Sequence, residues 1–399
     1  MGTEDLAADE LDPPGAGRRR GVLAMTLVVR DEEDILEANL RYHLAQGVDF
    51  VYAIDHNSTD GTPDILRSFE QMGVLRMSRE DGDVHDQAPR VTRLARLAYE
   101  ELGADWVINN DADEFWWPAL GDLKDVLCAV PAPFGVVVAR RHDFLPRPDA
   151  GEPFHQRMIW RHVASRTPTG GELGPKVAHR GLADVVVAPG NHEIYEPLLS
   201  AAPPLPLIEV LHFPARTYEQ FARKTLNTGR GYELLPGRGS GTGIDQLELL
   251  KLLRAGELRA YYDNWVAPGE ELERRVHAGT IVEDPRLRDF LAELEPRAAA
   301  HDPEQVRDVV RRALELGAAL TEAQSAADEL RRETARIATA REVDLGELAD
   351  LRRGTTALEA LVAAREVEIE ALASALELVR NSRLMRSTRA IRRLYYRLR

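Results

Sequence analysis

Val22-Leu23-Ala24-Met25-Thr26-Leu27-Val28-Val29 runs directly into Arg30-Asp31-Glu32-Glu33-Asp34, so an unbroken apolar stretch ends in a cluster of charges. An apolar run without alternation reads as a strand buried on both faces, as in a parallel sheet. The charged cluster then opens a helix whose apolar positions Ile35, Leu36, Leu40 and Leu44 recur at helical spacing, with Gly47 as its stop. A second strand, Phe50-Val51-Tyr52-Ala53-Ile54, leads into the polar loop Asp55-His56-Asn57-Ser58-Thr59-Asp60-Gly61, and Thr62-Pro63 reads as an N-cap pair. A short strand at Val74 to Met77, a helix around Val91 to Leu102 and a strand Trp106-Val107-Ile108 continue the alternation. The last of these ends in Asn109-Asn110-Asp111-Ala112-Asp113-Glu114. Strands alternating with helices imply an α/β fold with a mostly parallel sheet flanked by helices. Ligands of such sheets sit at the carboxyl ends of the strands, so loops 30–34, 55–61 and 109–114 are expected on one edge.

Around this core the chain changes character. It has 399 residues, enough at ~150 per unit for two or three structural units. Residues 1–20 read as a disordered arm, and 21–290 as one globular domain. All 23 prolines lie at or before Pro303, and no aromatic residue occurs between Phe290 and Tyr395. Residues 304–379 instead fit a heptad register whose a and d positions are apolar except at Thr334, Arg341, Asp344, Thr355 and Arg365. That pattern favours a coiled coil. The interruption at Arg341, Asp344 and Gly346 leaves a straight dimer or an αα-hairpin, and the surviving phase favours the straight homodimer.

The net charge of −15 argues against a nucleic-acid binder. It is unevenly spread, because residues 380–399 carry eight arginines and no acid, interleaved with apolar residues such as Leu384, Ile391 and Tyr395. Such a basic amphipathic tail suits an anionic membrane surface as well as a solvated end. No apolar run approaches the ~20 residues needed to span a bilayer. The acidic N-terminal stretch has no signal-peptide core, and the lone Cys128 cannot form an internal disulfide. The expected location is cytoplasmic, with peripheral attachment to the inner membrane face left open.

The chemistry of the loops is acidic. Neither G-x-G-x-x-G after the first strand nor G-x-x-x-x-G-K-[ST] occurs, so the glycine-rich phosphate cradles are missing. A carboxylate loop repels a diphosphate unless a divalent cation lies between them. Asp111 and Asp113, alternate residues at a strand end, offer the hard oxygen donors that Mg²⁺ or Mn²⁺ prefers. The bound cation would neutralise the charge of a departing diphosphate.

Taken in order, Val28-Val29-Arg30-Asp31-Glu32-Glu33, Asp55-His56-Asn57-Ser58-Thr59-Asp60-Gly61-Thr62 and Asp111-Ala112-Asp113-Glu114-Phe115 resemble the signature loops of family-2-like bacterial glycosyltransferases with the GT-A fold. The branch most similar has the metal motif D-x-D-E-F. The likeness extends over about residues 21–235, through Gly174-Pro175-Lys176, Gly190-Asn191-His192, Leu211-His212-Phe213-Pro214 and Phe221-Ala222-Arg223-Lys224. It implies an inverting transfer of sugar from a nucleotide-diphospho-sugar donor to a saccharide or lipid-linked acceptor. Arg30, Asp31, Glu32 and Asp55 would hold the nucleoside, with Asp60 in the same signature loop. Asp111 and Asp113 would hold the metal and diphosphate, and the region after 135 would bind the acceptor. Asp31 departs from the family's usual Asn, and His56 from its usual acidic or small polar residue.

The resemblance also implies a histidine from the second half in the metal shell. His192 and His212 are candidates, His212 favoured by its strand-end context. The general base is expected among the acids beyond the metal motif, with Glu193 first and Glu196, Asp184 and Asp143 as alternatives. Gln87 and Arg90 are candidates for the donor pocket, and Lys176 and Lys224 for phosphate or acceptor contacts. Trp116, Trp117 and Trp160 read as packing before they read as sugar platforms. Two further function classes stay open: a non-catalytic coiled-coil scaffold with a GT-A-like binding domain, and a nucleotidyltransferase. The latter lacks the expected glycine-rich loop after the first strand.

Overall fold

Leu23 to Val29 is buried along nearly its whole length and forms the strand on which the sheet is built. The computed structural model describes residues 21–149, 151–197, 199–201, 207–237, 243–294, 303–340 and 348–380. The arm 1–20 and the tail from 381 lie outside the described residues. Strands in chain order are β1 (Leu23–Val29), β2 (Phe50–His56), β3 (Leu75–Glu80), β4 (Trp106–Asn110), β5 (Glu114–Pro118), β6 (Val136–Asp143), β7 (Trp160–His162), β8 (Lys176–Arg180), β9 (Val186–Val187), β10 (Ile194–Glu196), β11 (Ile208–His212) and β12 (Ile281–Glu283). Helices α1 (Leu36–Ala45), α2 (Thr62–Gln71), α3 (Gln87–Leu102) and α4 (Leu123–Cys128) flank the first half of the fold. The rest are α5 (Phe154–Arg157), α6 (Tyr218–Glu233), α7 (Ile244–Ala255), α8 (Leu258–Val266), α9 (Gly269–His277), α10 (Arg286–Ala292), α11 (Pro303–Ala340) and α12 (Leu348–Arg380).

The eight-stranded sheet runs β3-β2-β1-β4-β8-β6-β11-β5. Its first half is parallel, as expected. Its second half is not: β8 is antiparallel to both β4 and β6, and β5 is antiparallel to β11. The fold is therefore a mixed α/β sheet with helices on both faces. Along β1, Leu23, Met25, Leu27 and Val29 enter the core shared with α1, α2 and α4, whereas Ala24 packs on the α3 side. This two-faced burial is what the absence of alternation in the apolar run encodes.

Two boundaries differ from the sequence reading. Asp55 and His56 belong to the end of β2, paired with Arg79 and Glu80 of β3, and not to the loop. The loop expected at 109–114 is shorter, because Asn109 and Asn110 finish β4 and Glu114 opens β5 at the far edge of the sheet. This strand turns back immediately after Asp113, which is how the acidic pair comes to sit at a reversal.

The C-terminal helices also depart from expectation. A straight helix cannot fold on itself, yet α11 and α12 pack against each other, with an ion pair of 2.8 Å between Arg331 and Glu366. The two helices pair as an αα-hairpin instead of a straight run; residues 341–347 lie outside the described residues. Nor is the first part of α11 separate from the globular domain, because Val310, Ala313 and Leu314 join its main core. Among the described residues no helix is long and apolar enough to cross a membrane.

Two core histidines make a stability prediction. His43 is fully buried, its Nδ1 donating to the carbonyl of Asn39 at 2.9 Å and its Nε2 accepting from the Trp116 backbone N–H at 3.3 Å. Burial pushes its pKa down to about 3, and that of the equally buried His179 to about 4. Both stay neutral in the folded chain while the unfolded chain takes up protons below about pH 6.5. Each should therefore remove about 1.4 kcal/mol of stability per pH unit as pH falls from there toward 4. Urea unfolding at a series of pH values should show this slope, reduced in His179→Gln.

Candidate active site

The turn between β4 and β5 sets the site. Asn109 and Asn110 close β4, and the Glu114 N–H donates to the Asp111 carbonyl at 3.0 Å, so Asp111, Ala112 and Asp113 occupy a tight reversal at the carboxyl end of the strand. The register of β11 places His212 beside Glu114 on one side and Asp143 on the other. The Phe213 N–H donates to the Asp113 carbonyl at 2.8 Å, locking the second half of the domain to the acidic turn.

The expected gathering of loops holds. The Asp31 N–H donates to Ser58 Oγ at 3.0 Å, and the Thr59 N–H donates back to Asp31 Oδ1 at 2.7 Å. Thr62, read as an N-cap, instead accepts the Glu32 N–H at 2.9 Å through its hydroxyl, while Gly61 takes the cap position. Asp31 itself has φ of +54°, a left-handed conformation that Asn and Asp adopt more readily than other side chains.

These loops border a cleft of about 940 Å³, lined among others by Arg30, Asp31, Glu32, His56, Gln87, Asp111, Asp113, Lys176, His192, Glu193, His212 and Lys224. That volume suits a ligand of nucleotide-sugar size. Of the expected donor residues, Asp55 and Asp60 are not on the cleft. Asp55 pairs with Arg79 at 2.9 Å, and Asp60 accepts the backbone N–H groups of Glu33 and Thr62, so both fasten loops.

Charge in the cleft is tightly paired. Asp111 accepts from Gln87 Nε2 at 2.7 Å and pairs with Lys176 Nζ at 2.5 Å; Lys176 is almost fully buried and also lies 3.2 Å from Glu114. Asp113 pairs with Lys224 Nζ at 2.6 Å, and the same ammonium reaches Glu32 at 2.7 Å. Burial alone would raise both Asp carboxyls. Lys176 beside Asp111, and Lys224 and His212 beside Asp113, instead hold them below the usual carboxylate range.

His212 joins the two acids that flank it. Its Nδ1 lies 2.6 Å from Asp143 Oδ1, and its Nε2 lies 3.5 Å from Asp113 Oδ2. Burial works against its charge, but Asp113 and Asp143 outweigh it and raise the pKa to about 9. The sign is opposite to that of His43: this contribution to stability is complete below about pH 6.5 and is lost as pH rises toward 9. His192 is arranged differently. Its Nδ1 donates to the Pro175 carbonyl at 2.6 Å, and burial with Lys176 nearby lowers its pKa to about 4, leaving a neutral ring on the cleft.

The donor chemistry of Asp111, Asp113, His212 and His192, two carboxylates and two imidazoles, fits Mn²⁺ or Mg²⁺. Among the described residues, however, no three His, Cys, Asp or Glu side chains are already gathered for a metal ion. The carboxylates are instead gathered around ammonium groups, so cation binding at Asp113 requires Lys224 to give way. It also requires His212, as a ligand, to shed a proton.

No protein-family model matches the chain, and no curated protein matches it either. Solved structures do show likeness. S. aureus TarS 1–349 in complex with UDP is 13% identical, with 65% of this chain and 92% of that chain covered at a TM-score of 0.31. The mannosyltransferase PcManGT from Pyrobaculum calidifontis, in complex with GDP-Man and Mn²⁺, is 17% identical over 75% of this chain and 87% of its own, at a TM-score of 0.30. Glucosyl-3-phosphoglycerate synthase from Mycobacterium tuberculosis, in complex with Mn²⁺, UDP and phosphoglyceric acid, is 14% identical over 40% and 56%, at a TM-score of 0.22.

One central residue has no sequence signal. Arg216 is fully buried just past β11, where it pairs with Glu32 and takes both oxygens of Asp34 at 2.6 and 2.8 Å. It thereby ties the loop after β1 to a segment more than 180 residues away. In a chain with 47 arginines nothing marks this one out. Trp116, by contrast, is fully buried, as the packing reading expects.

Proposed function

We propose that the chain is a metal-dependent, inverting GT-A glycosyltransferase that moves a sugar from a nucleotide-diphosphate donor to a hydroxyl of its acceptor. The observation that carries the reading is the convergence of Asp111, Asp113, His212, Lys176 and Lys224 at one strand-end cleft. Three cationic or ionisable groups face two carboxylates there, an arrangement suited to binding a diphosphate together with a cation. Asp111 and Asp113 would hold Mn²⁺ or Mg²⁺ with His212 or His192, and the bound ion would act as a Lewis acid toward the diphosphate. Lys224, released from Asp113, would meet phosphate oxygens, and Lys176 favours the ionised form of Asp111. Arg30, Asp31 and Glu32 form the nucleoside side of the cleft, with Gln87 orienting Asp111.

Glu193 is the proposed general base, taking the acceptor hydroxyl proton as the anomeric carbon is attacked. Every other cleft-lining carboxylate has a hydrogen-bond or ion-pair partner, whereas that of Glu193 has none among the described residues. Glu193→Gln should lower kcat by ~10²–10⁴-fold while leaving nucleotide binding unchanged. A steady-state assay paired with calorimetric titration of the nucleoside diphosphate checks both halves. The reading as a whole is tested by measuring nucleoside diphosphate release from a panel of nucleotide sugars with and without Mn²⁺. Release of inorganic pyrophosphate from nucleoside triphosphates would instead favour a nucleotidyltransferase.

The basic tail and the hairpin suggest a place for this activity, at the cytoplasmic face of a membrane and in cell-surface polysaccharide or glycolipid synthesis. Vesicles containing anionic lipid should retain the full chain and release a chain ending at 380.

A further inference from the structure

One wall of the cleft is not used by the donor reading. It is formed by α8, on which Tyr261, Asn264 and Trp265 all line the cleft. Their spacing of three and four residues places them on one helix face. The two rings lie 6.3 Å apart between centroids, both half-buried. Phe221 of α6 backs them, stacked on Tyr261 at 6.3 Å and edge-on to Trp265 at 6.0 Å, so their position is fixed by packing.

Among the described residues, the Tyr261 hydroxyl, the Asn264 amide and the Trp265 indole N–H have no hydrogen-bond partner. The core tryptophan Trp116 differs, because its indole N–H donates to Asn110 at 3.0 Å. The wall shares its cleft with Asp143 and His212. Besides burial, the charges of Asp143 and Asp245 raise the Tyr261 hydroxyl, and Asp143 is the partner of His212.

We infer that Tyr261, Asn264 and Trp265 form an acceptor subsite that takes a pyranose ring. This rests on the glycosyltransferase reading and narrows its acceptor from a saccharide or a lipid chain to a saccharide. A sugar ring has an apolar face of C–H groups and an edge of hydroxyls. Aromatic faces that end in free polar groups match both parts of that surface. A lipid chain would gain from the faces but would strand the hydroxyl, amide and indole N–H groups without partners.

Saturation-transfer NMR on the full chain tests this, using methyl glycosides of glucose, galactose, mannose, rhamnose and N-acetylglucosamine, with n-octyl phosphate as the lipid probe. UDP and GDP are present with Mg²⁺, and their base protons report the donor site independently. The expected result is saturation of the ring C–H protons of at least one glycoside. That signal should fall roughly tenfold in Trp265→Ala and in Tyr261→Ala, and survive in Trp265→Phe. Nucleotide signals should be unchanged in all three variants. Nucleotide binding with no glycoside signal, or a glycoside signal indifferent to both alanine variants, overturns the subsite and leaves the donor reading standing. Saturation of octyl phosphate alone overturns it in favour of a lipid acceptor. Absence of nucleotide signal from the unaltered chain counts against the glycosyltransferase reading and removes the acceptor role with it, even where a glycoside signal depends on Trp265.

Discussion

Asp113→Asn is expected to lower sugar transfer by ~10²–10³-fold, the scale on which a removed electrostatic stabiliser of a developing charge is felt. The substitution keeps the shape of the side chain and leaves the Asp113 carbonyl to accept the Phe213 N–H, so the turn between β4 and β5 should persist. What disappears is one negative charge at the meeting point of Lys224 and His212. Both partners retain another acid, Glu32 for Lys224 and Asp143 for His212, so neither is left as an isolated buried charge. Stability should therefore change much less than activity. Initial rates and a urea melt of the same preparation check the two statements together. Equal turnover in the variant would remove Asp113 from the metal and diphosphate site.

Arg216→Met is expected to do the reverse, with a loss of about 3–5 kcal/mol in folding stability, as when one partner of a buried ion pair is removed. Methionine fills much of the space but supplies none of the donors now used by Glu32, Asp34 and the Phe213 carbonyl. Glu32 would keep only Lys224, and the loop after β1 would lose its tie to the segment after β11. Arg216→Lys should recover only part of the loss, because one ammonium cannot reproduce the forked contact with Asp34. Urea unfolding measures the difference, and a change below about 1 kcal/mol would show that surface-like solvation, not a buried network, surrounds this arginine.

The contrast between these residues marks what the sequence could reveal. Periodicity and strand-end position were enough to locate β1, β2, β4 and the acidic turn, because burial on both faces suppresses alternation and leaves a local pattern. The loops at 30–34, 55–61 and 109–114 do meet, since parallel strands send their carboxyl ends the same way. The antiparallel second half was not legible. The sequence reading left Phe115-Trp116-Trp117-Pro118 without an element, and only the pairing of Glu114–Pro118 with β11 makes this stretch an edge strand. Asp55 and Asp60 were drawn into the donor site by their loop, yet their carboxylates are consumed by Arg79 and by backbone N–H groups. Arg216 and the α8 wall depend on contacts between distant segments. The hairpin of α11 and α12 follows the same logic: heptad phase survives a reversal, so phase alone could not distinguish a straight dimer from a helix returning on itself.

The central claim is that Asp111 and Asp113 hold a divalent cation that completes a nucleotide-diphosphate site. The most direct measurement is a thermal-shift titration of the full chain with UDP, GDP and their sugars, with and without Mn²⁺, alongside Asp111→Asn and Asp113→Asn. Binding to the folded state alone raises the melting temperature as ligand exceeds its Kd. The predicted result is stabilisation by at least one nucleotide sugar that requires Mn²⁺ and disappears in both variants. Stabilisation of equal size without the metal, or undiminished in the variants, would contradict it.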